Sequence, residues 1–354
     1  MTKDNNKLRA ELLRWYKENQ RVLPWRGSND PYKIWLSEII MQQTRVAQGT
    51  PYYLKFLEKY PHIGSLAAAG EQEVLKLWQG LGYYSRGRNL LKAARQVVSV
   101  FKGIFPEDYM DVIKLKGVGP YTAAAIVSIA FKKPYAVLDG NVFRVIARIY
   151  GIEIPINAPG AREIFQGYAD RLLDKKDPGT FNEAMMELGA MVCLPKKPLC
   201  ESCPLQAGCS VRENNMLSVL PLKLDLKKVR TRYFHYFFIE TDGKFAIRHR
   251  QPGDIWQGLY ELPMIETDAQ GVLNIENAKN FLGEGITFLK PLKRMVHKLT
   301  HQRLEIIFYE GDMPQETSNG TLLTDAKGLK QYPLPKPLEL FLNDYLCKPD
   351  TLSR

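Results

Sequence analysis

The sequence of 354 residues lacks any apolar run long enough to cross a membrane. Its opening residues, MTKDNNKLRAELLRWYKENQ, lack the apolar core and small-residue cleavage site of a secretion signal. Both absences predict a soluble, intracellular, cytoplasmic protein with no membrane partner. No internal repeat and no low-complexity tract is present, which leaves ordinary packed domains. Hydrophobic residues at 45% and charged residues at 25% predict a sizeable core, and the length suits two domains. Cysteine is scarce, at five residues, yet Cys193, Cys200, Cys203 and Cys209 share one short segment and only Cys347 stands apart. Without a secretion signal, that clustering argues for metal rather than disulfides. Acidic residues fall short of basic ones by a formal +11, which favours an anionic polymer such as nucleic acid. On charge alone, a membrane surface or no polyanion at all also fits.

From Lys7 to about Val211, apolar positions recur at three and four residues between Gly and Pro punctuation, which predicts many short helices and no sheet. Periodicity fades over Glu213 to Arg232, where Asn, Pro and Lys collect as in a linker. Beyond it, YFHYFFIE and KFAIRHR read as strands joined by a hairpin at Thr241-Asp242-Gly243. RLEIIFYEG reads as a further strand, and Asn274 to Leu282 and Pro337 to Leu346 as helices. This second domain is therefore expected to be α+β.

The cysteine segment CLPKKPLCESCPLQAGC has the spacing C-x6-C-x2-C-x5-C. Four thiolates suit tetrahedral zinc or an iron–sulfur cluster, and ligand count does not separate the two. Zinc ribbons usually carry two C-x2-C knuckles, and one is missing here. The plain alternative is four unligated core cysteines. Lys196 and Lys197 in the loop could meet phosphate or simply be solvated.

In LKGVGPYTAAA, Gly117 and Gly119 permit turn conformations and a close backbone approach. Pro120 at the first helical position points the amides of Tyr121, Thr122 and Ala123 outward at a positive dipole end, an anion site that suits a DNA phosphate. The alternative is a tight helical turn with no ligand. In NDPYKIWLSEIIMQQTRV, Asp30 and Pro31 start a helix that sets Glu38, Gln42 and Arg45 on one stripe of an otherwise apolar surface. Desolvation there would keep Glu38 protonated and able to donate to a leaving base; a surface glutamate paired with Arg45 is the other reading. Asp139 in LDGNVFRV is either an N-cap or the negative charge that glycosidic cleavage needs beside an oxocarbenium-like sugar. GLGYYSRGRNL sets Tyr83 and Tyr84 beside Arg86 and Arg88, suited to stacked bases and phosphate or to core aromatics with a solvated basic face. His297 and His301 in HKLTHQR, without a carboxylate motif nearby, favour packing or DNA contact over metal.

The cysteine spacing resembles the cluster loop of the endonuclease III and MutY family of DNA glycosylases, and the glycine hairpin resembles that superfamily's helix-hairpin-helix. SEIIMQQTRV and LDGNVFRV resemble the MutY family in particular. The resemblance implies a [4Fe-4S] cluster on the four cysteines. It implies an adenine DNA glycosylase in base excision repair, acting on duplex DNA with adenine opposite 8-oxoguanine or guanine, as a monomer. Glu38 would protonate adenine and activate water, and Asp139 would stabilise or trap the sugar cation. Asn141 would orient Asp139, and Tyr121 would hydrogen-bond near the sugar. Lyase members carry lysine where Tyr121 stands, so no Schiff base is expected. Tyr83 and Gln43 would insert beside the lesion, with LPWR and FNEAMMELGA supplying Trp25, Arg26 and Glu183 to the adenine pocket.

DIWQGLYELP resembles the approach to the Nudix box of MutT-like pyrophosphatases, but no glutamate-rich helix follows to hold Mg2+, so phosphohydrolysis is disfavoured. Leu299, Thr300 and His301 would stand where the MutY family's F-S-H loop meets 8-oxoguanine, with a hydroxyl kept and an aromatic face lost. The expected organisation is a helix-hairpin-helix glycosylase domain over 1–212, with a helical barrel at about 22–131 and a cluster lobe from 1–21 and 132–212. A linker over 213–231 and a Nudix-like α+β domain over 232–348 complete it. An endonuclease III-like lyase and a non-catalytic DNA-binding protein are the rival readings.

Overall fold

A computed structural model describes residues 4–346 apart from 214–215, 217–218, 226–228, 242, 269–272, 274–275, 277, 280–289 and 312–320. Contacts divide the chain into two units: Met1–Ala68 with Asn89–Leu226, and Ala69–Arg88 with Lys227–Arg354. No helix among the described residues is long and apolar enough to cross a membrane.

Up to residue 213 the described elements are helices: α1 (Asn5–Asn19), α2 (Pro31–Met41), α3 (Val46–Lys59), α4 (Ile63–Ala68), α5 (Glu71–Trp78), α6 (Ser85–Phe101), α7 (Tyr109–Val112), α8 (Pro120–Phe131), α9 (Gly140–Tyr150), α10 (Ala161–Leu172), α11 (Pro178–Met191) and α12 (Ser210–Glu213). Two short 3-10 turns, Cys200–Ser202 and Gln206–Gly208, fall in the cysteine loop. In the first unit, one core joins Leu8, Leu12 and Tyr16 of α1 to residues of α8, α9, α10 and α11. α8 is apolar nearly all round, with Thr122 to Ser128 buried, which is how a helix enclosed by others reads. Gly189 on α11 allows close passage of α9, because a Cβ there would lie 2.6 Å from Asn141 Cβ.

The stretch after α12 is strapped to the first unit rather than slack. Leu220 is buried, the Ile156 amide donates to the Leu222 carbonyl at 3.0 Å, and Asn157 exchanges two hydrogen bonds with the Leu224 backbone.

The second unit is built on a mixed sheet: β1 (Arg230–Thr241), β2 (Lys244–His249), β3 (Tyr260–Glu261), β4 (Met264–Thr267), β5 (Lys290–Lys298), β6 (Gln302–Gly311) and β7 (Thr321–Asp325). β1 and β2 form the expected antiparallel hairpin, with Thr241 opposite Lys244. β1 runs parallel to β6, and β5 pairs antiparallel with β6 through the turn at residues 299–301. Helices α13 (Ala326–Leu329) and α14 (Lys336–Leu346) follow β7. Phe234, Tyr236, Phe238, Ile306 and Phe308 face Leu338, Phe341 and Leu342 of α14, with Phe308 and Phe341 stacked at 4.0 Å. The α+β expectation holds, including the Pro337–Leu346 helix. The helix expected over Asn274–Leu282 lies largely outside the described residues. β5 was not among the expected strands because Lys290, Lys293, Arg294 and Lys298 mask its alternation; a half-exposed edge strand tolerates such charges.

Candidate active site

Helix α2 begins as its sequence dictates. Asp30 accepts from the Tyr32 amide at 2.9 Å, and Pro31 occupies the first turn. Trp35, Leu36, Ile39 and Ile40 anchor the helix in the core and leave Glu38 projecting from its last turn. Loss of water pushes the Glu38 carboxyl from 4.5 to about 7. The charges of Asp139 and Glu183 push the same way, and a hydrogen bond with Tyr121 opposes them. Arg45 is exposed at the start of α3 and is not among the charges acting on Glu38, so the Arg45-paired reading does not hold. Gln42 instead donates to Thr122 Oγ1 at 3.1 Å, tying α2 to α8. The Tyr121 hydroxyl lies 3.2 Å from Met186 Sδ, and burial beside Glu38 and Asp139 raises it well above the ordinary phenol value.

Asp139 is both an N-cap and a member of this group. Its Oδ1 accepts from the Val142 amide at 2.7 Å, opening α9, while Oδ2 accepts from Asn141 Nδ2 at 2.9 Å. Burial raises the Asp139 carboxyl, and those bonds with the Arg144 charge hold the rise back. Arg144 fixes Asn141 in turn: Nη2 donates to Asn141 Oδ1 at 2.9 Å and to the Gly189 carbonyl at 2.7 Å, and Nε to the Cys193 carbonyl at 2.7 Å. Arg144 gives no signal in the sequence beyond its place on an amphipathic helix.

Trp25 packs edge-on against Tyr53 at 5.3 Å. Arg26 and Glu183 both border this region but do not pair. Glu183 Oε2 accepts from the Tyr16 hydroxyl at 3.2 Å, whereas Arg26 Nη2 reaches Glu187 Oε2 at 2.6 Å. Glu187 was missed, although it stands one helical turn after Glu183 in FNEAMMELGA. That four-residue repeat of carboxylates on an apolar helix was the available signal.

At the hairpin, Gly117 has φ +78°, and a Cβ there would meet Asn89 Cβ at 2.8 Å. Gly119 has extended backbone, and its missing Cβ faces open space within 4 Å. The Ala123 amide donates to the Gly119 carbonyl at 2.9 Å, so it closes the helix rather than pointing outward as expected; Tyr121 and Thr122 remain the candidate amides. The Thr122 side chain is buried.

In the second unit, Tyr83, Leu299, Thr300 and His301 line one cavity of about 420 Å³, together with Ile255, Trp256, Arg88 and Lys298. Leu299–His301 is the β5–β6 turn, closed by the Leu299 amide on the Gln302 carbonyl at 2.8 Å. The Tyr83 hydroxyl hydrogen-bonds Thr300 Oγ1, and Tyr83 is half-exposed with a strained φ of 46°. Tyr84 is buried with its hydroxyl on the Leu334 carbonyl, Arg86 lies over the Trp78 ring at 5.1 Å, and Arg88 donates to the Gln257 carbonyl. The core reading holds for Tyr84, and Arg86 is packed rather than solvated. His297 stands against Trp256 at 5.9 Å, and burial lowers its pKa, as for a packed histidine. Gln43, in the first unit, is exposed with φ 55°.

Cys193, Cys200, Cys203 and Cys209 line a single cavity and form no disulfide. Burial pushes the Cys203 thiol up to about 12, with the other three sulfurs adding to the rise, the condition of thiols gathered around one point. Arg148 Nη1 lies 3.4 Å from Cys193 Sγ and 2.8 Å from the Leu194 carbonyl. No ligand set is drawn to metal-binding distances among the described residues. The donor chemistry nonetheless fits a soft metal centre: four sulfurs, one cavity, and a buried guanidinium to balance thiolate charge. Lys196 and Lys197 are exposed.

Residues 36–166 match the HhH-GPD superfamily of base excision DNA repair proteins, and residues 235–344 match the NUDIX domain family. The chain is 34% identical over 300 residues to an adenine DNA glycosylase of Buchnera aphidicola subsp. Baizongia pistaciae, covering 83% of each protein. It is 43% identical over 214 residues to the Homo sapiens adenine DNA glycosylase, covering 58% of this chain and 39% of that protein. Among solved structures, a thermostable thymine-DNA glycosylase superposes with a TM-score of 0.55 at 29% identity, over 59% of this chain and 97% of that one.

Proposed function

Since the chain belongs to the adenine DNA glycosylases, enzymes of base excision repair acting on DNA, we propose that Glu38 and Asp139 are the groups with which it cleaves the N-glycosidic bond of adenine. The observation that carries this reading is Glu38 itself, enclosed and held near pKa 7 beside a second buried carboxylate. A protonated Glu38 donates to the adenine ring as the bond lengthens, and its carboxylate then takes a proton from the attacking water. Asp139, oriented by Asn141 and the Val142 amide, answers the positive charge that grows on the sugar. Tyr121 donates toward Glu38 and holds its orientation. A phenol forms no Schiff base, so the product is an abasic site with the strand intact.

The substrate is double-stranded DNA with adenine opposite 8-oxoguanine or guanine, bound by a monomer. Support for the lesion comes from the cavity that joins Tyr83 to Leu299, Thr300 and His301, with two hydroxyls at its rim. Trp25, Arg26 and Glu183 border the space for the extruded adenine, Gln43 and Tyr83 insert beside the lesion, and Gly117 and Gly119 pass the DNA backbone close to the Tyr121 and Thr122 amides. Cys193, Cys200, Cys203 and Cys209 hold a [4Fe-4S] cluster, which when bound cross-links the loop and offers a one-electron redox centre.

The test is single-turnover incubation with duplex carrying one adenine opposite 8-oxoguanine, each time point divided with and without hot alkali. Breaks that require alkali support base excision without lyase action. Tight binding with no alkali-labile site overturns the assignment in favour of a DNA-docking protein.

A further inference from the structure

We propose, resting on the reading above, that Glu187 is a positioning residue of the adenine pocket: it locks Arg26 in place over Tyr16, whose hydroxyl holds Glu183, and balances the Arg26 charge that Glu183 meets. The carboxylate is 1% exposed, and both its oxygens are fully engaged. Oε1 accepts from the Arg21 amide at 2.9 Å, from Arg21 Nε at 2.8 Å and from Arg26 Nη1 at 3.1 Å; Oε2 accepts from Arg21 Nη2 at 2.7 Å and from Arg26 Nη2 at 2.6 Å. Arg26 Nη1 also donates to the Arg21 carbonyl at 2.9 Å, so the guanidinium is fixed from two sides. So held, Arg26 lies over the Tyr16 ring at 5.4 Å, and the Tyr16 hydroxyl donates to Glu183. The path therefore leaves α11 at Glu187, crosses Arg26 and Tyr16, and returns to α11 one turn earlier at Glu183.

The two glutamates of α11 are driven apart by these surroundings. The arginines hold Glu187 down at about 2, whereas burial raises Glu183. Divergent carboxylates in one site mark divided roles. The groups facing Glu183 are Arg26 before α2, Tyr16 on α1, Lys132 at the end of α8, and Glu187. Those facing Glu38 are Tyr121, Asp139 and Glu183. Without Glu187 an uncompensated guanidinium favours the Glu183 carboxylate, and a more fully ionised Glu183 makes Glu38 hold its proton more tightly. Glu38 must be protonated to act as an acid, so its alkaline limit moves to higher pH. Without the Tyr16 hydroxyl Glu183 loses a hydrogen bond that favours its carboxylate, and the same limit moves to lower pH.

The experiment is the pH profile of single-turnover adenine excision by the full-length wild type, Glu187→Gln and Tyr16→Phe, with circular dichroism to confirm folding. The expected result is opposite displacement of the alkaline limb. Glu187→Gln moves it up by about one pH unit, roughly a fivefold larger protonated fraction of Glu38 at pH 8, and Tyr16→Phe moves it down. A general packing defect would lower rates without moving the limb in opposite senses. Superimposed limbs, or limbs displaced the same way, overturn the proposal. If Glu187→Gln does not fold, a Tyr16→Phe limb unmoved or moved upward overturns it alone. If the wild type releases no adenine, the glycosylase reading falls first and this inference with it.

Discussion

Replacing Glu38 with glutamine should abolish excision and yet stabilise the helical unit, increasingly so as pH rises. Glu38 titrates near 4.5 in the unfolded chain and near 7 in the fold. The native state thus holds its proton more tightly, and stability falls as pH rises from 4.5 to 7, then stays low above 7. At 1.36 kcal/mol per unit, the full difference of 2.5 units is worth about 3 kcal/mol. At pH 5 the unfolded carboxyl is about three-quarters ionised while the folded one still holds its proton, and the cost there is about 1 kcal/mol. Glutamine never ionises, so the advantage of Glu38→Gln over wild type should grow by about 2 kcal/mol between pH 5 and pH 8. Any fixed cost of the amide cancels in that comparison. Urea titration of the helical unit's transition at both pH values measures it, and the alkali-split assay measures excision. A stability difference independent of pH would refute the burial argument, and near-wild-type excision would refute the role of Glu38.

Three further outcomes follow from particular contacts. Gly117→Ala should destabilise by about 2 kcal/mol, from a positive φ and the Asn89 contact at 2.8 Å, whereas Gly119→Ala, with open space before it, should fold normally and lose duplex affinity; melting curves and filter binding separate the two. Gly189→Ala drives a methyl to within 2.6 Å of Asn141 Cβ, so Asn141 must shift away from Asp139; excision should fall on the order of 10- to 100-fold while duplex binding survives. Tyr121→Lys should introduce borohydride-trappable adducts with DNA, which the wild type does not form, as read on a denaturing gel.

Local features were legible because their physics is local. The Asp30 and Asp139 caps, the glycine hairpin, the β1–β2 turn and the four-cysteine spacing each involve residues within a few positions of one another. Glu38 was legible as a desolvated acid because Ile34, Trp35, Leu36, Ile39 and Ile40 on the same helix advertised its burial. The charged edge strand β5 and the strapping of residues 219–225 were not, since pairing with β6 and contact with Ile156 and Asn157 override their composition.

The sequence by itself determined the chemical inventory: which residues can donate protons, bind soft metal or turn a backbone toward phosphate, and that lysine is missing where a lyase needs it. Tertiary structure alone decided how that inventory is wired. Tyr16 meets Glu183 across 167 positions and Arg21 meets Glu187 across 166, so which glutamate is pinned as an anion and which is pushed toward its proton depends on α1 packing against α11. The assignment of Ala69–Arg88 to the second unit is likewise a result of packing, with Gln72, Lys76 and Tyr84 bonding to the carbonyls of Gly258, Tyr332 and Leu334. Burial and charge act through space, and a pKa is a property of the environment that the folded chain assembles around a group.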